Sequence, residues 1–194
     1  MTEALVAKAP ETVRLALKGL EVSVPGEDGM RRAVLGIDLE VRERTILGLV
    51  GESGSGKSLT VRAIAGILDP GVEVTGGEIE FEGDDLRRLT NAERRSLSGG
   101  KIGIVFQDSM AGLNPVQRIG AQIEESLLLH TDLGKRQRRE RVVELLRRVG
   151  VPAPESRAKA YPHEFSGGMR QRALIAVAIA ASPELLIADE ATTA

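Results

Sequence analysis

The chain has 194 residues, 42% hydrophobic and 28% charged, with a formal net charge of −2 and no cysteine. At this size a chain buries roughly 70% of its unfolded surface, so it needs no disulfide or structural metal, and the missing cysteine excludes disulfide frameworks, thiolate nucleophiles and cysteine metal sites. One tyrosine, three phenylalanines and no basic excess argue against a nucleic-acid partner, which would require a cationic surface and stacking platforms.

Residues 1–12 read as an N-terminal tail; residues 1–16 carry no long apolar core behind a basic head and so do not read as a signal peptide. Val13, Leu15 and Leu17, then Val22 and Val24, alternate in part and predict a strand or hairpin arm. Pro25-Gly26-Glu27-Asp28-Gly29 is a turn cluster. Residues 34–41 alternate again, placing Leu35, Ile37, Leu39 and Val41 on one face, so the two segments suggest an antiparallel β-layer. Residues 45–50 run apolar without a break up to Gly51, as expected of a parallel strand buried on both faces. Helical spacing follows over 57–68, with Leu59, Ala63, Ile64 and Ile67 facing inward, and 76–82 and 102–106 are further strand candidates.

From 119 to 150 the spacing of Ile119, Ile123 and Leu127, then of Val142, Val143, Leu145, Leu146 and Val149, predicts helices. Between them the charged run 135–141 reads as a solvated helix face rather than a binding patch. Pro152, Pro154 and Pro162 mark a loop out of this block; a helix over 169–181 and a buried strand over 185–188 follow. The apolar stretch 173–188 is broken by Ser182-Pro183-Glu184 and is too short to span a bilayer, so the chain reads as soluble, with docking on a membrane protein left open.

The segment Gly51-Glu52-Ser53-Gly54-Ser55-Gly56-Lys57-Ser58 completes the phosphate-loop pattern G-x-x-x-x-G-K-[ST] between a predicted strand and a predicted helix. Its glycines let backbone N–H groups curl around phosphates, and the helix N-terminus adds its positive end. Lys57 is placed to reach the β- and γ-phosphates and the Ser58 hydroxyl to ligate Mg²⁺, so ATP or another nucleoside triphosphate is the expected ligand. Downstream, Leu185-Leu186-Ile187-Ala188 delivers Asp189 and Glu190 to the C-terminal edge of a sheet, where ligands of open α/β sheets bind. There Asp189 would hold Mg²⁺ and Glu190 would act as general base on the attacking water. Ser166-Gly167-Gly168, just ahead of a predicted helix, is a second anion-binding design, which suggests a nucleotide sandwiched between two subunits. Leu97-Ser98-Gly99-Gly100-Lys101 has similar composition, but a strand follows it, so it reads as a loop.

Here the chain resembles the ATP-binding-cassette (ABC) proteins. Ser166-Gly167-Gly168-Met169-Arg170-Gln171-Arg172, lying between Lys57 and Asp189, looks like the signature of that family, and Val105-Phe106-Gln107 resembles its Q-loop. The resemblance covers the chain from about Val13 onward. It implies an α/β P-loop NTPase over 13–194, with a RecA-like core, an antiparallel β subdomain and a helical subdomain inserted at about 116–165. It further implies that Gln107 contacts the metal and couples the site to a membrane subunit. Phe106-Gln107-Asp108, Leu113-Asn114-Pro115 and 161–172 are very similar to the oligopeptide, dipeptide and nickel importer branch. That branch implies an ATPase at the cytoplasmic face of the inner membrane, paired with an identical or paralogous ATP-binding subunit. It docks on two permease subunits fed by an external binding protein.

The sequence departs from the family pattern at Ala191 and Ser109, where proline is usual, and near Val24, where an adenine-stacking aromatic is usual. Ala194 is reached before the family's switch histidine and later strands, so the fold reads as incomplete at the C-terminus, and this chain is expected to bind ATP while hydrolysing it poorly or not at all. His130 and His163 lie in other contexts and read as surface or loop histidines. A nucleotide-binding fragment without turnover stays open as an alternative. A non-transport ABC ATPase of the DNA-repair or chromosome type does too, although the short, cysteine-free block between the nucleotide motifs shows no sustained heptads. A P-loop kinase or GTPase would have no use for Ser166-Gly167-Gly168 ahead of a helix.

Overall fold

Strands come first. In the computed structural model, which describes residues 12–27, 29–106 and 112–189, the first 30 or so described residues form a long hairpin of β1 (Val13–Gly26) and β2 (Gly29–Arg42). The chain divides into two compact units, Met1–Leu89 and Thr90–Ala194. In the first, β3 (Glu73–Phe81) pairs with the free edge of β1, and the short β4 (Asp84–Asp85) pairs with β3, giving an antiparallel sheet of order β2-β1-β3-β4. Helix α1 (Lys57–Ala65) packs against β1 and buries Thr60, Val61, Ala63, Ile64 and Ala65.

Side-chain phase in this sheet changes partway along each long strand. Leu15 and Leu17 are buried on β1, but so are Leu20 and Val22, because Lys18 and Gly19 together oppose the single β2 residue Asp38, and the Gly19 N–H donates to Asp38 Oδ1 at 2.7 Å. On β2 the extra residue is Gly36, at φ +79, a left-handed conformation that glycine adopts without strain. This bulge corrects the expected face. Ile37, Leu39 and Val41 stay half-buried, while beyond Gly36 the phase flips, so Val34 is buried and Leu35 is 70% exposed.

Two further expectations for this unit fail. Residues 45–50 form no strand and belong to neither sheet; Ile46, Leu47, Leu49 and Val50 are exposed. An apolar run becomes a parallel strand only where distant residues supply its ladder, and the run itself does not encode that neighbour. Helix α1 also ends earlier than 68. Gly66, at φ +71, donates to the Ala63 carbonyl and closes the helix, leaving Ile67 outside it and exposed, with Leu59 half-buried.

The second unit is helical around a two-stranded parallel sheet. α2 (Asn91–Leu97) leads into β5 (Ile102–Val105); α3 (Ile119–His130), α4 (Lys135–Arg148), the single turn α5 (Pro154–Arg157) and α6 (Gly167–Ala178) precede β6 (Leu185–Ala188). Ile119, Ile123 and Leu127 line one face of α3 and meet Val142, Leu145 and Leu146 of α4 and Ala173 and Ala176 of α6 in one core. The charged run 135–141 makes up the first two turns of α4. Arg136 pairs with Glu140 and Arg141 with Glu144 on the solvated side, but Arg138 turns inward, its side chain 15% exposed, to Glu124 at 3.7 Å and the Leu133 carbonyl at 2.6 Å, so the run is a solvated face only in part.

Candidate functional site

The phosphate-loop motif sits directly ahead of α1, and each residue type does local work there. Gly56 caps the helix in the left-handed region at φ +91; a Cβ at this position would press on Val34 Cγ2 at 3.0 Å and the Ala33 carbonyl oxygen at 3.2 Å. Buried Thr60 holds the Gly56 carbonyl twice, through its N–H at 2.8 Å and its hydroxyl at 3.0 Å. Ser55 N–H donates to the Glu52 carbonyl at 3.2 Å, which curls the loop back. Lys57 lies inside the curl. Its Nζ donates to the carbonyls of Gly51 (2.7 Å) and Glu52 (2.8 Å) and to Ser55 Oγ (3.3 Å). Ser53, Gly54 and Ser58 are exposed at the mouth. The first-turn amides of α1 have no intrahelical acceptor, so the loop brings an ammonium group and a helix N-terminus with free N–H groups into one short segment, the donor set an anion requires.

In the second unit, β5 and β6 pair in parallel from Ile102↔Leu185 to Val105↔Ala188. Both strands therefore end at the same sheet edge, where the Asp189 N–H donates to the Val105 carbonyl at 2.9 Å. Asp189 stands at the C-terminal edge, half-buried, as its sequence position predicts. Gln107 and Glu190, the other two residues assigned to catalysis, lie outside the described residues, as do Ser109, Ala191 and the tail up to residue 11.

Ser166 is the N-cap of α6, and its Oγ accepts the Met169 N–H at 3.3 Å. That bond uses a lone pair and leaves the hydroxyl proton, together with the first-turn amides of Gly167 and Gly168, to face an anion. Arg170 donates its N–H to the Ser166 carbonyl (2.9 Å) and its Nη1 to the Phe165 carbonyl (2.6 Å); Arg172 Nη1 ties the helix to the Gly150 carbonyl at 2.8 Å. The similar segment at 97–101 follows α2 and precedes β5, so no helix begins at its glycines, in agreement with its reading as a loop. The His130 ring lies against Gly99 and Gly100 of that loop, and His163 stacks on Tyr161 with ring centroids 5.6 Å apart.

Sequence reading passed over three supporting residues. Thr60 has no motif of its own. Arg170 stands within the signature-like segment 166–172, but its sequence position gives its side chain no role. Thr90 was visible in principle, because Thr90-Asn91-Ala92-Glu93 has the spacing of a capping box, and both reciprocal bonds form (Glu93 N–H to Thr90 Oγ1 at 3.3 Å, Thr90 N–H to Glu93 Oε2 at 2.7 Å).

Comparison with known proteins agrees with this geometry. The family model described as "ABC transporter" matches residues 34–193. The dipeptide transport ATP-binding protein DppD of Escherichia coli (strain K12) is 47% identical over 175 residues, covering 90% of this chain and 54% of that protein. The oligopeptide transport ATP-binding protein OppD of Bacillus subtilis (strain 168) is 47% identical over 181 residues, covering 93% of this chain and 51% of that protein. The chain thus spans about half the length of the curated relatives it matches. Among solved structures, the dimeric ATP-binding cassette MJ0796 in a post-hydrolysis state with ADP and Pi superposes with a TM-score of 0.83 at 27% identity. That match covers 93% of this chain and 75% of the other.

Proposed function

The chain belongs to the ABC transporter family and has the α/β P-loop NTPase fold of its cassettes, and from that premise we propose that it is the ATP-binding part of an importer subunit that couples ATP binding and hydrolysis to peptide uptake. The observation that carries this reading is the phosphate-loop segment curled around Lys57 directly ahead of α1, in a chain whose relatives include dipeptide and oligopeptide transport ATP-binding proteins.

The chemistry follows from the residues. Lys57 Nζ rests on two neutral carbonyls and a hydroxyl; phosphate oxygens are charged acceptors and form stronger bonds, so Lys57 exchanges these partners for the β- and γ-phosphates. The first-turn amides of α1 and its positive end hold the same anion. Ser58 and Asp189 offer hard oxygen donors suited to Mg²⁺. Magnesium bound through so few protein oxygens keeps phosphate oxygens and water in its other coordination positions. Such an ion neutralises charge on the transferred phosphoryl group. By the family resemblance, Glu190 would accept the proton of the attacking water and Gln107 would contact the metal. Ser166, Gly167 and Gly168 of a second ATP-binding subunit complete the site from the opposite side.

Residues 13–194 form one ATP-binding domain with the helical insertion at about 116–165. Permease subunits, supplied by an external binding protein, are the membrane partners, and the site of action is the cytoplasmic face of the inner membrane. No helix among the described residues is long and apolar enough to cross a membrane. The test is uptake by vesicles carrying the assembled transporter, with labelled dipeptide and labelled nickel supplied in parallel. ATP-dependent entry of the dipeptide, lost with Lys57→Ala, is the expected result; entry of nickel alone would overturn the peptide assignment.

A further inference from the structure

Arg170 lies in the first turn of α6, and its contacts run back to the residues ahead of the helix. Its backbone N–H donates to the Ser166 carbonyl at 2.9 Å, as any residue at that position would. Its guanidinium does something the helix does not require: Nη1 donates to the Phe165 carbonyl at 2.6 Å. Those two carbonyls belong to the two peptide planes that flank the Ser166 Cα. One residue therefore grips both planes, which fixes φ and ψ of Ser166 (−67° and 165°) and with them the direction of its side chain and of the Gly167 N–H.

Three further observations point the same way. Arg170 Nε is buried without a hydrogen-bond partner, whereas an arginine turned into water would keep that donor solvated. Phe165 is itself immobilised, because its ring is 3% exposed and the Arg157 guanidinium lies 5.9 Å from the ring centroid, so the carbonyl that Arg170 holds is a fixed anchor. Arg170 Nη2 also stands 4.0 Å from where a Cβ on Gly167 would be, which places the cation beside the turn.

We propose that Arg170 is a positioning residue for Ser166, acting through the Phe165 carbonyl to aim the Ser166 hydroxyl and the Gly167 and Gly168 amides at the phosphate held by a second subunit. The inference rests on the composite-site reading above. Arg170→Met keeps most of the stem and removes the donor; Arg170→Lys keeps the charge and one flexible donor. Two quantities separate positioning from fold: affinity of each chain for a fluorescent ATP analogue, and ATP-dependent self-association by sedimentation. With one charge-assisted bond lost, Arg170→Met should bind the analogue like wild type yet associate about tenfold more weakly, and Arg170→Lys should recover part of the deficit. Wild-type association by Arg170→Met would overturn the proposal, as would parallel loss of binding and association, which marks a role in the fold. A wild-type chain that binds the analogue but associates neither with itself nor with a paralogous ATP-binding subunit would instead overturn the composite-site reading and this inference with it.

Discussion

Gly56 and Gly54 both sit in the left-handed region, at φ +91 and +82, but only Gly56 is enclosed. Adding a methyl group at Gly54 meets open space, so Gly54→Ala costs only the backbone term, about 1–2 kcal/mol. At Gly56 the same methyl falls 3.0 Å from Val34 Cγ2 and 3.2 Å from the Ala33 carbonyl oxygen. Val34 is 1% exposed, so it cannot yield without disturbing the core, and overpacking adds about 1–3 kcal/mol to the strain. At about 2–4 °C per kcal/mol for a chain of this size, Gly54→Ala should lower the melting temperature by a few degrees, and Gly56→Ala by roughly twice as much or more. Thermal melts of the two variants by circular dichroism measure the difference directly. A parallel titration with a fluorescent ATP analogue should show Gly56→Ala weakened by about tenfold or more, since about 1.4 kcal/mol lost at the helix N-terminus is one decade of affinity. Equal melting temperatures for the two variants, or a larger loss for Gly54→Ala, would refute the steric argument.

Asp85 gives a pH signature. Burial alone would raise its carboxyl, but the Arg87 N–H at 3.0 Å and the Arg87 and Arg88 guanidinium groups hold it below the ordinary 3.8. A folded value below the unfolded one stabilises above the ordinary carboxylate range and is lost as pH falls through the lowered value. Asp85→Asn should therefore be less stable than wild type in urea at pH 7, with the gap closing in acid; a gap that widens toward low pH would contradict this. Leu145, 0% exposed between α3 and α6, should cost about 2–5 kcal/mol on Leu145→Ala in urea denaturation, and a loss under about 1 kcal/mol would show that this core is not packed as described.

What the sequence made legible was chemistry that is local in the chain. The phosphate loop is contiguous, so its glycines, Lys57 and the following helix could be read from eight residues, and the Ser166 cap of α6 was equally visible. Hairpin, helical block and the strand carrying Asp189 also followed from period and turn chemistry, although that strand, expected to be buried, leaves Leu186 46% exposed. Failures came where a distant residue decides the outcome. Alternation over 34–41 could not reveal that Gly36 inserts a bulge, because a bulge is a mismatch between two strands. The run 45–50 states its apolar character and not its neighbour. Likewise the Arg170 side chain has no role until the Phe165 carbonyl is found 2.6 Å from its Nη1.

Everything proposed here depends on Lys57 reaching phosphate. Isothermal titration of ATP with Mg²⁺ into the chain and into Lys57→Ala tests that most directly. Two charged phosphate contacts, at about 1.5–3 kcal/mol each and offset in part by the carbonyl bonds given up, make Lys57 responsible for roughly tenfold or more in affinity, so wild type should bind and Lys57→Ala should bind at least about tenfold more weakly. Equal affinity in the two proteins would contradict the phosphate-loop assignment and the transport function built on it.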